Sequence, residues 1–152
     1  QLHTLNLSST RVTDAGLELV RLKELTNLRS LSLMGTQITD QGLVHLTRLT
    51  NIHTLYLSHT KLTDAGLAHL RGLTNMRTLY LGRNISDAGL VHLKGMTMLR
   101  TLYLKHTRVT DAGLVHLQGL ARLRNLRLDH SKVTEAGVNK LKMALPKCTI
   151  HR

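Results

Sequence analysis

The side chains able to do chemistry in this chain are ten histidines, nine carboxylates, one cysteine and three tyrosines, and their spacing separates the chemistries they could serve. His45, His69, His92 and His116 recur at one position of a repeated phrase. A metal ion would need their nitrogens about 2.1 Å away, whereas neighbouring helices sit about 10 Å apart. The recurrence therefore reads as a duplicated solvent-facing residue, and neither metal nor cofactor is expected. Six of the nine acids, Asp14, Asp40, Asp64, Asp87, Asp111 and Glu135, come one per repeat, so no pair stands ready for general acid–base work. Cys148 is a lone thiol near the end of the chain with no nameable base, and it reads as a packing residue. No glycine loop has the form of a phosphate cradle, and the N-x-S sequons at Asn6 and Asn84 are weak signals. A non-catalytic chain is expected.

Recognition is the chemistry left. Tyr56, Tyr80 and Tyr103 are the only tyrosines and occupy one column of the repeat, Asn6, Ser32, Tyr56, Tyr80, Tyr103 and Arg127. On stacked strands their rings would form a ridge roughly 10 Å long. A basic column, His3, Arg29, His53, Arg77, Arg100 and Arg124, precedes it, and Ser9, Gly35, His59, Arg83, His106 and His130 follow it. Tyrosine beside arginine is the composition of binding hot spots. The expected partner-binding residues are Tyr56, Tyr80, Tyr103, Arg77, Arg100, Arg124, Arg127, His59, Arg83, His106 and His130. The duller alternative is that tyrosine is a good strand residue copied with the repeat. His53, His59, His106 and His130 could make binding depend on pH near neutrality.

The elements that must position these residues follow from the repeat. The pattern L-x-x-L-x-L recurs with its middle leucine at Leu5, Leu31, Leu55, Leu79, Leu102 and Leu126, at steps of 26, 24, 24, 23 and 24 residues. Within a unit, Leu55 and Leu57 alternate with Thr54, Tyr56 and Ser58, which predicts a short strand with one buried face. Each strand is followed by "TDAGL" or a variant. Thr13, Thr39, Thr63, Ser86, Thr110 and Thr134 are expected to cap short helices, with an acid in the positive first turn. Glycine at 16, 42, 66, 89, 113 and 137 costs roughly 1 kcal/mol against alanine in a helix, so its recurrence implies close packing between coils. Strands about 4.8 Å apart and helices about 10 Å wide cannot stack straight; the strands take the inside of the bend.

The phrase LxxLxLxxTxxTDAGLxxLxxLxxL resembles a leucine-rich repeat, nearest the ribonuclease-inhibitor-like and cysteine-containing subclasses as found in bacterial repeat proteins. Thr10, Thr36, Thr60, Thr107 and Ser131, with Asn84 in the fourth repeat, stand where those subclasses place Cys or Asn. The resemblance implies an α/β solenoid, a horseshoe with parallel strands on the concave side and short helices on the convex side. It also implies macromolecular recognition through the concave face. Residues 1–152 are expected to form one domain of about six repeats, with 144–152 as a C-terminal half-repeat cap beyond Pro146. The opening "QLHTLNL" lies inside a strand phrase and reads as a cut, so the chain is expected to be a fragment of a longer protein.

A net charge of +12, from 21 Lys and Arg against nine acids, points to an acidic partner without separating a protein from a polyanion, and a protein is the expectation taken. The alternatives are nucleic acid or another polyanion, held by a basic groove with stacking rings, and a spacer or assembly arm of a larger enzyme. No apolar run reaches the length of a membrane helix, so no membrane partner is expected. A single cysteine excludes an internal disulfide and fits a reducing compartment, which favours the cytoplasm. The chain is expected to be monomeric or to self-associate weakly through the edge of its first strand.

Overall fold

The computed structural model describes residues 2–19 and 21–152; Gln1 and Val20, the latter within the longer first repeat, lie outside the described residues. Each leucine phrase forms a three-residue strand: β1 (Thr4–Asn6), β2 (Ser30–Ser32), β3 (Thr54–Tyr56), β4 (Thr78–Tyr80), β5 (Thr101–Tyr103) and β6 (Asn125–Arg127). A seventh, β7 (Thr149–His151), is added beyond the six that the phrases predict. All are parallel neighbours in chain order, and the middle leucines pair in register from Leu5↔Leu31 to Leu102↔Leu126, ending on Leu126↔Ile150. The strands are so short that each backbone ladder is completed outside them. The Arg29 carbonyl, for example, accepts from the amides of both His53 and Thr54 at 2.8 and 3.0 Å.

The convex side carries the expected short helices, but much of their length is 3-10 and not α. Residues Asp40–Leu46 and Gly66–Leu70 are 3-10 helix throughout, while α2 (Asp87–Leu90) and α3 (Asp111–Leu114) are single α turns that pass into 3-10 helix at Val91–Leu93 and Val115–Leu117. The reason lies in the leucine spacing. Leu43, Leu46, Leu49 and Ile52 are three apart, as are Leu67, Leu70, Leu73 and Met76, and all eight are fully buried. A period of three lines up one face of a 3-10 helix, and segments this short cannot nucleate a stable α-helix alone. In the last repeat the spacing becomes three then four, at Val138, Leu141 and Leu145, and there α4 (Glu135–Ala144) runs for ten residues. The first repeat opens with α1 (Asp14–Leu19) and continues into 3-10 helix at Leu22–Glu24.

The "TDAGL" phrase joins coils as well as capping them. Asp14, Asp40, Asp64, Asp87 and Asp111 each accept two hydrogen bonds from the following coil. One comes from the amide of Thr39, Thr63, Ser86, Thr110 or Thr134 at 2.7–2.9 Å, the other from its hydroxyl at 2.5–2.6 Å. Thr39, Thr110 and Thr134 also accept from their own helix, as expected of caps, whereas Ser86 makes no such bond. The glycine of each following coil lies directly over the accepting Asp. A methyl group on Gly42, Gly66, Gly89, Gly113 or Gly137 would overlap the Oδ1 atom of that residue. A second ladder uses Thr10, Thr36, Thr60 and Thr107, whose hydroxyls donate to the carbonyls of Leu7, Leu33, Leu57 and Leu104 at 2.6–2.7 Å. That bond is what allows Thr36 and Thr107 to be buried polar residues.

The coil-to-coil ladder makes an acid-stability prediction. The Thr134 hydroxyl and then its amide hold the Asp111 carboxyl below the usual carboxylate range, with burial opposing and Arg152 assisting. A folded value below the unfolded one, near about 3.9, means that this stabilisation is complete above the unfolded value and is lost as pH falls through the folded value. Asp111→Asn should therefore flatten the acid limb of a stability-against-pH curve below about pH 4. An acid limb identical to that of the wild type would rule out the ladder as its source.

The convex histidines are half-buried between coils instead of fully solvent-facing. Arg71 Nε donates to His92 Nδ1 at 2.9 Å across the coil boundary, and burial followed by the Arg71 charge lowers the His92 pKa against an opposing Asp64. His116 Nδ1 is buried with no hydrogen-bond partner among the described residues.

Candidate binding face

The strand pleat sets the ridge. Leu55, Leu79 and Leu102 point into the core and are fully buried, so Tyr56, Tyr80 and Tyr103, one residue on, emerge on the opposite face. In-register pairing then superposes the rings. Tyr56 and Tyr80 have centroids 4.7 Å apart with planes tilted by 35°, and Tyr80 and Tyr103 are stacked at 3.9 Å and 11°. Tyr80 has a ring on each side. Burial and the neighbouring Tyr103 hydroxyl push its phenol pKa above the usual value, so this central ring is uncharged at neutral pH. Its two outer rings face Ser32 and Arg127 in the strand register.

The basic residues fall into distinct situations. Arg127 is engaged within the chain, donating to both carboxylate oxygens of Asp129 at 3.1 and 3.4 Å, and Lys105 approaches the same carboxylate at 3.8 Å. Burial alone would raise the Asp129 pKa, but the Arg127 hydrogen bond, its own backbone amide and the Lys105 charge together hold it low. The one acid on this face is thereby neutralised. Arg124 folds back to donate to the carbonyls of Ala121 and Leu123 at 3.0 Å, and it lines a separate notch with Arg100 and Arg122. Arg77 stands beside His53, whose pKa is lowered by burial, by Arg77 and by Arg29; that imidazole is neutral at physiological pH.

On the exit side, His106 and His130 stack with centroids 4.5 Å apart and planes 3° from parallel. His59, His106 and His130 have φ of 57°, 58° and 59°, in the left-handed region, as do Ser9 and Gly35 at the same place in the first two repeats. Left-handed backbone costs an ordinary residue about 1 kcal/mol or more, although histidine tolerates it better than most. Gly35 shows what the turn favours. The histidines are held there against that preference.

One cleft of about 640 Å³ brings part of the expected set together: Tyr80, Tyr103, His59, Arg83 and His106, with Met34, Ser58, Leu81, Gly82 and Lys105. Tyr56 and His130 touch this group only through their stacked neighbours, while Arg77, Arg100, Arg124 and Arg127 lie apart from it. The ridge and its two flanking columns leave out a further column, Ser8, Met34, Ser58, Gly82, Lys105 and Asp129, two residues beyond the ridge, of which Met34, Ser58, Gly82 and Lys105 line the cleft. Its signal is variability, which it shares with the exit column and with the ridge column outside the three tyrosines. Cys148 is buried, and burial raises its thiol pKa with Arg124 opposing, the reverse of what a nucleophile needs. No three histidine, cysteine or acidic side chains among the described residues converge on a point where they could hold a metal ion.

A family model described as leucine-rich repeats in two copies matches residues 50–92, and a single leucine-rich repeat model matches residues 2–20, 24–46 and 95–117. No curated protein sequence matches the chain. Among solved structures, an internalin (inlF) from Listeria monocytogenes is 26% identical with a TM-score of 0.69 over 99% of this chain and 47% of that one. An internalin C2 (inlC2) from the same organism is 28% identical with a TM-score of 0.71, over 97% and 69%. A leucine-rich repeat protein of Leptospira interrogans, at 24% identity, shares the fold with a TM-score of 0.77 over 99% of this chain and 37% of its own length. This chain thus spans about half the length of the first of these relatives. Repeats matched along most of the sequence, and a sheet built coil by coil as in these solenoids, make the chain a leucine-rich repeat protein.

Proposed function

We propose that this segment is a non-catalytic protein-recognition scaffold that binds an acidic partner through the tyrosine-centred strand face. The observation that carries the reading is the stacked ridge Tyr56, Tyr80, Tyr103 on a face whose single acid, Asp129, is tied to Arg127 and Lys105. Pre-stacked rings lose little conformational freedom when a partner covers them, which is what makes rigid aromatics effective anchors. The same stacking weighs against a single-stranded nucleic acid. Bases bind by laying their faces on aromatic faces, and rings 3.9 Å apart leave no gap for a base between Tyr80 and Tyr103. For the repeat subclass, kinship to the ribonuclease-inhibitor-like and cysteine-containing forms is supported by the threonines at the ladder position.

The test compares wild type with Tyr80→Ala as bait at physiological salt, and titrates both with single-stranded DNA and RNA at low and physiological salt. Removing a central hot-spot ring should weaken a protein partner by about 2 kcal/mol or more, roughly 30-fold. Nucleic-acid binding that persists at physiological salt and weakens with Tyr80→Ala would replace the protein reading. If neither ligand class responds to the substitution, the ridge is only a repeated strand residue, and the binding site lies elsewhere or the segment is a spacer or assembly arm.

A further inference from the structure

Gly82 is the one glycine on the strand face whose smallness the fold does not require. Its φ is not in the left-handed region, and a methyl group there would meet the His59 amide nitrogen at 3.4 Å, the Leu57 carbonyl at 3.7 Å and Ser58 Cα at 3.8 Å, which are ordinary contacts. The glycines of the "TDAGL" phrase are different, since an added methyl on Gly42, Gly66, Gly89, Gly113 or Gly137 overlaps a carboxylate. What the missing side chain at Gly82 does create is space. With the small Ser58 beside it, it opens the cleft between the Tyr80 and Tyr103 rings and the exit rail of His59, Arg83 and His106.

The chemistry of that space is asymmetric. One end is apolar at Met34, the floor is Ser58 and Gly82 above the core residue Leu81, and the inner wall is the Tyr80–Tyr103 stack, which can receive another ring at its edge. Its rim carries Arg83, Lys105, His59 and His106, and among the described residues no acid lines it, although Asp129 approaches Lys105 at 3.8 Å. At about 640 Å³ it exceeds what an aliphatic side chain would fill. Building on the protein-recognition reading above, we infer that the cleft over Gly82 is the anchor site of this face and takes an aromatic side chain flanked by carboxylates on an acidic segment of the partner. The ring lies over Gly82 against the tyrosines and Met34, and the flanking acids meet Arg83 and Lys105 at the rim.

The experiment titrates the isotope-labelled protein with the peptide acetyl-Asp-Glu-Trp-Glu-Asp-amide, following amide and ring signals at about 150 mM salt. Two reference peptides replace Trp by Ala, or the acids by Lys. The acidic Trp peptide should shift the signals of Gly82, Arg83, Tyr80 and Tyr103, and either reference should bind at least 10-fold more weakly. Gly82→Leu, which fills the cleft, should abolish the effect. Gly82→Ala, whose methyl makes only ordinary contacts, should fold as the wild type does and weaken binding in part, so a folding failure of the leucine variant leaves the question decidable. Equal binding by the Ala peptide, undiminished binding by both Gly82 variants, or shifts mapping away from Gly82 would each overturn the anchor. Oligothymidylate shifting the same signals where the peptide does not would assign the cleft to nucleic acid and also overturn it. A protein partner lost with Tyr80→Ala yet kept by Gly82→Leu would remove the anchor while leaving the recognition function standing.

Discussion

Gly113→Ala should destabilise the solenoid by roughly 2–4 kcal/mol, whereas the same change at Gly16 should be neutral or stabilising by up to about 1 kcal/mol. The two glycines occupy equivalent places in "TDAGL" and differ in what lies beneath them. Under Gly113 is Asp87, whose Oδ1 would overlap an added methyl, with its Cγ at 2.9 Å and its Cα at 3.1 Å. Rotating the carboxylate does not clear the Cα, and it breaks the bonds that Asp87 accepts from the Thr110 amide and hydroxyl at 2.8 and 2.6 Å. That hydroxyl also receives the Ala112 amide at 3.3 Å, so the cap of α3 loosens with it. Under Gly16 nothing comes nearer than Val12 Cγ1 at 3.5 Å, and alanine is the better helix former. Chemical denaturation of both variants checks the contrast. Removing the carboxylate should relieve the clash, so Gly113→Ala in an Asp87→Gly background should cost much less than alone. Equal costs in the two backgrounds would separate the glycine from the aspartate.

This ladder was half visible in the sequence. Glycine recurring three residues after each Thr or Ser signalled close packing between coils, but the spacing could not say what pressed against it, because the aspartate lies 25 to 28 residues earlier in the chain. The acids looked sufficient as helix-start charges, and their bonds to the next coil emerge only when coils are stacked. The strand register was legible because a period of two with one leucine face allows a single alignment, and Leu79 does pair with Leu55 and Leu102. The 3-10 character of the convex side was present in the spacing Leu67, Leu70, Leu73, Met76 and went unread, since amphipathic helices are ordinarily sought at 3.6. On the strand face, the tyrosine column could be read and its stacking could not: ring tilt depends on the side chains packed on both sides. The Arg127–Asp129 pair was equally hidden, as two residues two apart on a strand share a face, which the column reading treated separately.

Leu79→Ala should cost about 2–5 kcal/mol, near the upper limit for a single core truncation in this chain. Leu79 is fully buried at the centre of β4, with the equally buried Leu55 and Leu102 in register on either side. Three-residue strands locked into a parallel ladder have little freedom to collapse into the space left behind, so the cavity term adds to the lost transfer free energy. Position along the stack sharpens the expectation. In a solenoid each coil is stabilised by its two neighbours, so a central defect weakens two interfaces and an edge defect one. Leu5, its counterpart in β1, is only partly buried and has a single neighbouring strand, so Leu5→Ala should cost visibly less than Leu79→Ala. Thr78→Ala, one residue away on the outer face, should change stability little. Amide exchange adds a spatial readout: in Leu79→Ala, protection should fall together in β3, β4 and β5 while α4 keeps its own. Loss of protection confined to β4 would show coils that hold independently, and an unchanged melting temperature would mean that Leu79 is not the core leucine its register makes it.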